Sequence, residues 1–115
     1  MLKKSSLLLL LAVISVFAHA RDTTRTIEVH AKRYAFAPAE ITVRKGETVK
    51  LELISDDVPH SLLIKELGIN QTITKDHPTE VTFTPANAGD FHGKCGRFCG
   101  SGHGKMDFTV HVTQN

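Results

Sequence analysis

Both cysteines of this 115-residue chain lie in one glycine-rich segment near its C-terminus, CGRFCGSGHGKM. The spacing within the segment is Cys-x3-Cys-x3-His-x2-Met, formed by Cys95, Cys99, His103 and Met106. Thiolate and thioether are soft donors that favour copper(I), and imidazole also binds copper. Two histidines, one cysteine and a distant methionine form the donor set of copper electron-transfer sites. The segment therefore predicts a copper site, for which a second histidine must come from elsewhere.

His60 is the best candidate for that second histidine. It follows the turn-forming stretch Asp56-Asp57-Val58-Pro59 and precedes an apolar run. This position places it at the beginning of a possible strand, where a side chain can face a neighbouring loop. His92 lies close to Cys95 in the sequence but is out of phase with it, so a surface position is favoured.

The first twenty residues have the features of a secretory leader. Lys3 and Lys4 precede the apolar stretch 7–17, and Ala18-His19-Ala20 has the pattern of a cleavage site. We therefore predict a cleaved signal peptide at 1–20, a mature domain at 21–115 and a periplasmic location. An exported cysteine pair also allows a plain disulfide between Cys95 and Cys99, which is the simplest alternative to a metal site.

The charge of the chain gives no support to some classes of partner. The chain has 14 basic and 12 acidic residues, and the two signs balance once Lys3 and Lys4 are removed with the leader. A balanced domain gives no reason to expect binding to nucleic acid or to a membrane surface. No second apolar segment is long enough to cross a membrane, so none is expected in the mature chain.

Apolar and polar residues alternate with the period of a β-strand along most of the mature sequence. The alternation and the flanking turn residues predict strands at 27–32, 41–43, 49–54, 80–84, 89–95 and 106–112, while 62–67 fits either a short helix or a strand. Short strands without a long helix predict an all-β sandwich or barrel of antiparallel strands. The cysteine segment then becomes an end loop between the last two strands.

Three segments together resemble the cupredoxins, and specifically the CuA domains of cytochrome c oxidase subunit II and nitrous oxide reductase. They are Phe36-Ala37-Pro38-Ala39-Glu40-Ile41-Thr42-Val43 with Lys45-Gly46-Glu47, then Asp57-Val58-Pro59-His60-Ser61, and the loop 95–106. The resemblance implies a Greek-key β-sandwich and a centre of two copper ions. It implies bridging thiolates from Cys95 and Cys99, and one histidine, His60 or His103, on each ion. Met106 and the backbone carbonyl of Arg97 are implied as weak ligands.

Three departures from the family pattern affect the expected role. Arg97 stands where the family has a glutamate, and the chain has no tryptophan, the residue that the family uses for electron entry. As a third departure, we expect only a leader before the domain, where the oxidase subunit has membrane helices. We therefore expect a free-standing monomeric electron carrier, not an enzyme, whose partner is a c-type cytochrome or a terminal oxidase. Phe91 and Phe98 are candidates for shielding the copper from water.

Three other functions are compatible with the same residues. A copper chaperone or storage protein for oxidase assembly would use the whole donor set. A mononuclear copper carrier would use Cys99, His103, His60 and Met106 and leave Cys95 idle. A thiol–disulfide redox protein would use only the cysteines, although the sequence lacks the alternating helices of thioredoxin-like folds.

Overall fold

The strands form where apolar side chains alternate with polar ones, and burial follows the same alternation. In the computed structural model, which describes residues 24–115, every second residue from Val49 to Ser55 is buried. The nine strands within this range are β1 (Arg25–Lys32), β2 (Ala35–Ala37), β3 (Glu40–Arg44), β4 (Val49–Ser55), β5 (His60–Ile64), β6 (Ile69–Ile73), β7 (Thr79–Phe83), β8 (Gly89–Lys94) and β9 (Asp107–Thr113). The predicted leader, 1–20, lies outside the described residues.

The strands form two sheets, which confirms the prediction of an all-β, cupredoxin-like sandwich. One sheet has the order β2-β1-β4-β7 and the other the order β3-β9-β8-β5-β6. The prediction of antiparallel pairing holds for most neighbours, but β1 pairs with β4 and β3 with β9 in parallel. The parallel pairing of β1 with β4 arises because β3 lies in the opposite sheet, so the chain returns to the first sheet in its original direction.

The segment 62–67 combines both structures that its sequence allowed. Its first half belongs to β5, and Lys65–Leu67 forms a short 3-10 turn. Gly68 ends this turn at φ 66°, a left-handed conformation that glycine adopts without steric cost. Strands β2 and β6 were not predicted, because β2 has only three residues and β6 buries only its two end residues.

The core lies between the sheets and continues into the loop that joins β8 to β9. Phe108 is completely buried, and its ring meets that of Phe36 edge to face with centroids 5.8 Å apart. The two cysteines and Met106 are buried within the same apolar cluster. The candidate donors are therefore an extension of the core. No helix within 24–115 is long and apolar enough to cross a membrane.

Candidate metal centre

The two cysteines lie in the connection between β8 and β9, at one end of the sandwich. The backbone N–H of Cys95 donates to the carbonyl of Met106 at 3.2 Å, which closes the loop at its base. Both thiols are free, and their Sγ atoms are 3.9 Å apart. A disulfide requires an S–S distance of about 2.05 Å. The structure therefore presents two separate sulfur donors on one side of the loop.

An imidazole lies beside each thiol. The Nδ1 atom of His60 is 4.0 Å from the Sγ atom of Cys95, and Nδ1 of His103 is 3.6 Å from the Sγ atom of Cys99. His60 is completely buried at the first position of β5, whereas His103 is half-buried in the 3-10 turn His103–Lys105. Donor atoms of His60 and the two cysteines all lie within 4.8 Å of one another. This cluster is suitable for holding a metal ion.

The two weaker donors named by the sequence also face the thiols. The Sδ atom of the fully buried Met106 lies 3.5 Å from the Sγ atom of Cys99. The carbonyl oxygen of Arg97 accepts a hydrogen bond from the Cys95 thiol at 3.0 Å, while the Arg97 side chain is exposed. All six residues selected from the sequence are thus gathered at one end of the sandwich.

Asp57 fixes the orientation of His60, a role that sequence reasoning missed. Its Oδ1 atom accepts hydrogen bonds from Nε2 of His60 at 2.7 Å and from the N–H of Val58 at 2.6 Å. Its Oδ2 atom accepts one from the N–H of Arg33 at 2.8 Å. Burial alone would raise the pKa of Asp57, but the hydrogen bonds from Arg33, His60 and Val58 outweigh it and hold the pKa at about 2. The carboxylate keeps the other imidazole nitrogen directed at Cys95.

Three further residues hold the ligand loop in place. The guanidinium Nε–H of Arg33 donates to the carbonyl of Cys99 at 2.9 Å, and the Ser61 hydroxyl accepts from the N–H of Gly96 at 2.8 Å. The ring of Tyr34 lies so close to Gly102 that a Cβ atom there would be 2.4 Å from Cδ2 of the ring. No pattern in the sequence identifies Arg33 or Tyr34, because both contacts join residues far apart in the chain.

The protonation of the Cys99 thiol depends on whether a cation occupies the site. Burial, and after it the neighbouring Cys95, raise the pKa of the Cys99 thiol to about 11. Without a compensating positive charge, the Cys99 thiol is therefore neutral near pH 7. A bound metal ion stabilises thiolates and displaces their protons. Two thiols, two imidazoles and a thioether are donors that copper prefers, so the residues present fit a copper site.

Phe91 and Phe98 were expected to shield the copper from water, and His92 was expected at the surface; these expectations are met only in part. Phe98 was expected to shield the site, but it is 76% exposed, and its ring centroid lies 5.8 Å from that of His103. Phe91 is half-buried against the core. His92 is exposed, as predicted, and its Nδ1 atom lies 3.4 Å from the Thr109 hydroxyl.

A family model described as a cupredoxin-like domain matches residues 5–106. A probable cytochrome c oxidase subunit 2 of Streptomyces avermitilis is 38% identical over 68 residues, which is 59% of this chain and 21% of that protein. Cytochrome c oxidase subunit 2 of Thermus thermophilus is 27% identical over 89 residues, 77% of this chain and 66% of that protein. The chain therefore spans less than two thirds of these relatives.

The solved structures contain the same fold. The periplasmic domain of subunit II of cytochrome oxidase (CoxB) of Bradyrhizobium japonicum superimposes with a TM-score of 0.73 at 18% sequence identity. The match covers 79% of this chain and 85% of that domain.

Proposed function

Because the chain belongs to the cupredoxin-like domain family, we propose that its clustered donors bind a dinuclear copper centre of the CuA type and that the protein carries single electrons. One observation carries the proposal. The sulfur atoms of Cys95 and Cys99 lie 3.9 Å apart, and a separate imidazole stands beside each of them. A mononuclear site with one idle cysteine gives no reason for this paired arrangement.

The number of donors agrees with two ions. If both thiolates are shared, each ion receives two sulfurs and one imidazole from His60 or His103. The Met106 thioether and the Arg97 carbonyl then supply one weak donor for each ion. All six donor groups identified in the loop and in β5 are used in this assignment, and each ion has four donors, which suits copper in a mixed sulfur and nitrogen environment.

Bound copper would supply one-electron redox chemistry, and the protein's own residues keep the cost of that chemistry low. The buried positions of His60, Cys95 and Met106 exclude water from one side of the donor set. Hydrogen bonds to Asp57 and at the base of the loop fix the donors in advance. Donors that are already held in place move little when the charge of the centre changes, so reorganisation on electron transfer is small.

The cellular role follows from the same assignment. We propose that the chain is exported by its predicted leader, works outside the cytoplasmic membrane as a monomer, and exchanges electrons with a c-type cytochrome or a terminal oxidase. The names of the relatives support this, since they are subunits of cytochrome c oxidase. In this role the protein is a carrier and the chemistry on oxygen belongs to its partner.

Copper stoichiometry combined with electron paramagnetic resonance tests the proposal. The full chain is reduced, loaded with copper and measured for metal content and hyperfine structure. We expect two coppers per chain and a hyperfine pattern from two equivalent nuclei. His92→Gln, a matched histidine outside the donor set, is expected to keep both features, and Cys95→Ser is expected to lose them.

Other results would identify the alternatives. One copper with a mononuclear spectrum would contradict the dinuclear assignment. Copper that passes readily to an apo-acceptor instead of cycling reversibly between its redox states would identify a chaperone or storage protein. Failure to retain copper, with Cys95 and Cys99 oxidised to a disulfide, would leave a thiol–disulfide function.

A further inference from the structure

Two large apolar side chains are exposed within residues 24–115, and both lie beside the candidate metal centre. Phe98 is 76% exposed and Tyr34 is 36% exposed. The Phe98 ring lies 5.8 Å from the His103 imidazole, and the Tyr34 ring covers Gly100 and Gly102 of the ligand loop. Exposed aromatic residues are typical of protein interfaces. The end of the sandwich that carries the donors is therefore a candidate interface.

Two arginines accompany the aromatic residues. Arg33, Arg97 and Phe98 line a cavity of about 250 Å³ that reaches Cys99. The Arg33 guanidinium uses Nε–H to bind the Cys99 carbonyl, and its remaining N–H groups have no partner within the described part of the chain. The Arg97 side chain makes no hydrogen bond or ion pair with any residue of the same range. Both side chains therefore present free donors to a visiting molecule.

The nearby carboxylates form no ion pair with these guanidinium groups within the described residues. Asp57 already accepts hydrogen bonds from His60, from the Val58 N–H and from the Arg33 backbone N–H. Asp56 pairs with His30 at 2.7 Å. The surface formed by Arg33, Tyr34, Arg97 and Phe98, called here the arginine–aromatic face, consequently presents two guanidinium groups without an ion-pair partner around an apolar centre.

We infer that the arginine–aromatic face docks an electron-transfer protein whose contact surface is acidic around an apolar centre. This inference rests on the proposed electron-carrier function and names the chemistry of the partner. Carboxylates of the partner would bind the two guanidinium groups in bidentate pairs, and its apolar centre would cover Phe98. A partner in this position is separated from His103 by a single aromatic ring. Partners with a basic contact surface would be repelled.

Amide and arginine side-chain shifts measured by nuclear magnetic resonance test this inference without copper. The reduced, metal-free full chain, labelled with ¹⁵N, is titrated with two ferrous c-type cytochromes, one with an acidic and one with a basic haem-edge surface. We expect the acidic cytochrome to shift signals at 33–34 and 97–100, with an affinity that falls as salt is added. The basic cytochrome is expected to leave these signals unchanged.

Matched variants separate the roles of charge and apolar contact. Arg33→Gln combined with Arg97→Gln is expected to weaken binding of the acidic cytochrome about tenfold or more. Lys45→Gln removes a positive charge in the β3–β4 turn, at the opposite end of the sandwich, and is expected to leave the affinity unchanged. Phe98→Ala is expected to weaken binding but to keep its salt dependence.

Several outcomes would overturn the inference. They are stronger shifts with the basic cytochrome, shifts confined to another face, and an unchanged affinity in the double arginine variant. Concentration-dependent shifts at 33–34 and 97–100 without any cytochrome would show that the face binds a second copy of the chain instead. Because the titration needs no metal, its result is independent of the copper stoichiometry that tests the proposed function.

Discussion

Replacing Asp57 by asparagine isolates the contribution of the carboxylate that holds His60. The pKa of Asp57 is about 2 in the folded chain, against an ordinary value of 3.8. One pKa unit corresponds to about 1.36 kcal/mol, so complete linkage would contribute about 2.5 kcal/mol to the free energy of unfolding at pH 7. The side chain is 33% exposed, and solvent screening reduces this to about 1–2 kcal/mol.

The contribution of Asp57 to the free energy of unfolding changes with pH in a definite direction. Because folding lowers the pKa of Asp57, its contribution is fully present above pH 3.8 and is lost as the pH falls towards about 2. We therefore expect the stability difference between wild type and Asp57→Asn to shrink through this window. In the copper-loaded protein, loss of the carboxylate is expected to weaken metal binding about 10- to 100-fold, because the imidazole is no longer held in place.

Urea denaturation of the metal-free protein at pH 7 and at pH 3 measures the effect. Asp76→Asn, which changes an exposed aspartate in the β6–β7 connection, is the matched control and is expected to alter stability by less than about 0.5 kcal/mol. A difference for Asp57→Asn that is the same at both pH values would refute the electrostatic explanation. A copper affinity equal to that of wild type would refute the orienting role.

Three further predictions test the loop, the core and the surface. Gly102→Ala places a methyl group 2.4 Å from the Tyr34 ring and is expected to cost about 1–3 kcal/mol by thermal denaturation, whereas Gly104→Ala meets nothing within 4 Å and serves as its control. Phe108→Ala removes a fully buried ring and is expected to cost about 3–5 kcal/mol in urea titration; a loss below 1 kcal/mol would contradict the packing described. The pKa of His30 is raised by hydrogen bonds to its carboxylate partners, Asp56 first and Glu28 second, so the stability lost in His30→Gln is expected to be largest below the ordinary pKa of 6.5 and to vanish as the pH rises through the raised value. A difference that grows with pH would contradict this sign.

The sequence contained the information for the strands and for the donors because both depend on local patterns. Period-two alternation marked β1, β4 and β9, and burial follows it in each of them. The spacing Cys-x3-Cys-x3-His-x2-Met lies within twelve residues of one loop, so these donors are close together in the sequence itself. His60 lies 35 residues before Cys95, but it could still be selected because the preceding turn places it at the beginning of a strand.

What could not be predicted depends on contacts between distant segments. The exposed position of Phe98 conflicts with its apolar character, and only the path of the loop decides it. Asp57 looks like an ordinary turn residue until its hydrogen bonds to His60 and Arg33 are seen. The parallel pairing of β3 with β9 likewise depends on where the chain crosses between sheets, which alternation within a strand does not encode.

The same long-range contacts determine when the donor set comes into existence. His60 and Cys95 are 35 residues apart, and the Arg33 bond to Cys99 spans 66 residues. Chains dominated by such distant pairings close large loops before they gain contact energy, and they fold over about milliseconds to seconds. A partly folded chain therefore offers copper only its cysteine loop, and the complete donor set appears once both sheets have closed. Copper that enters at that stage stabilises the finished fold by mass action, so resistance to unfolding should rise with the concentration of free metal.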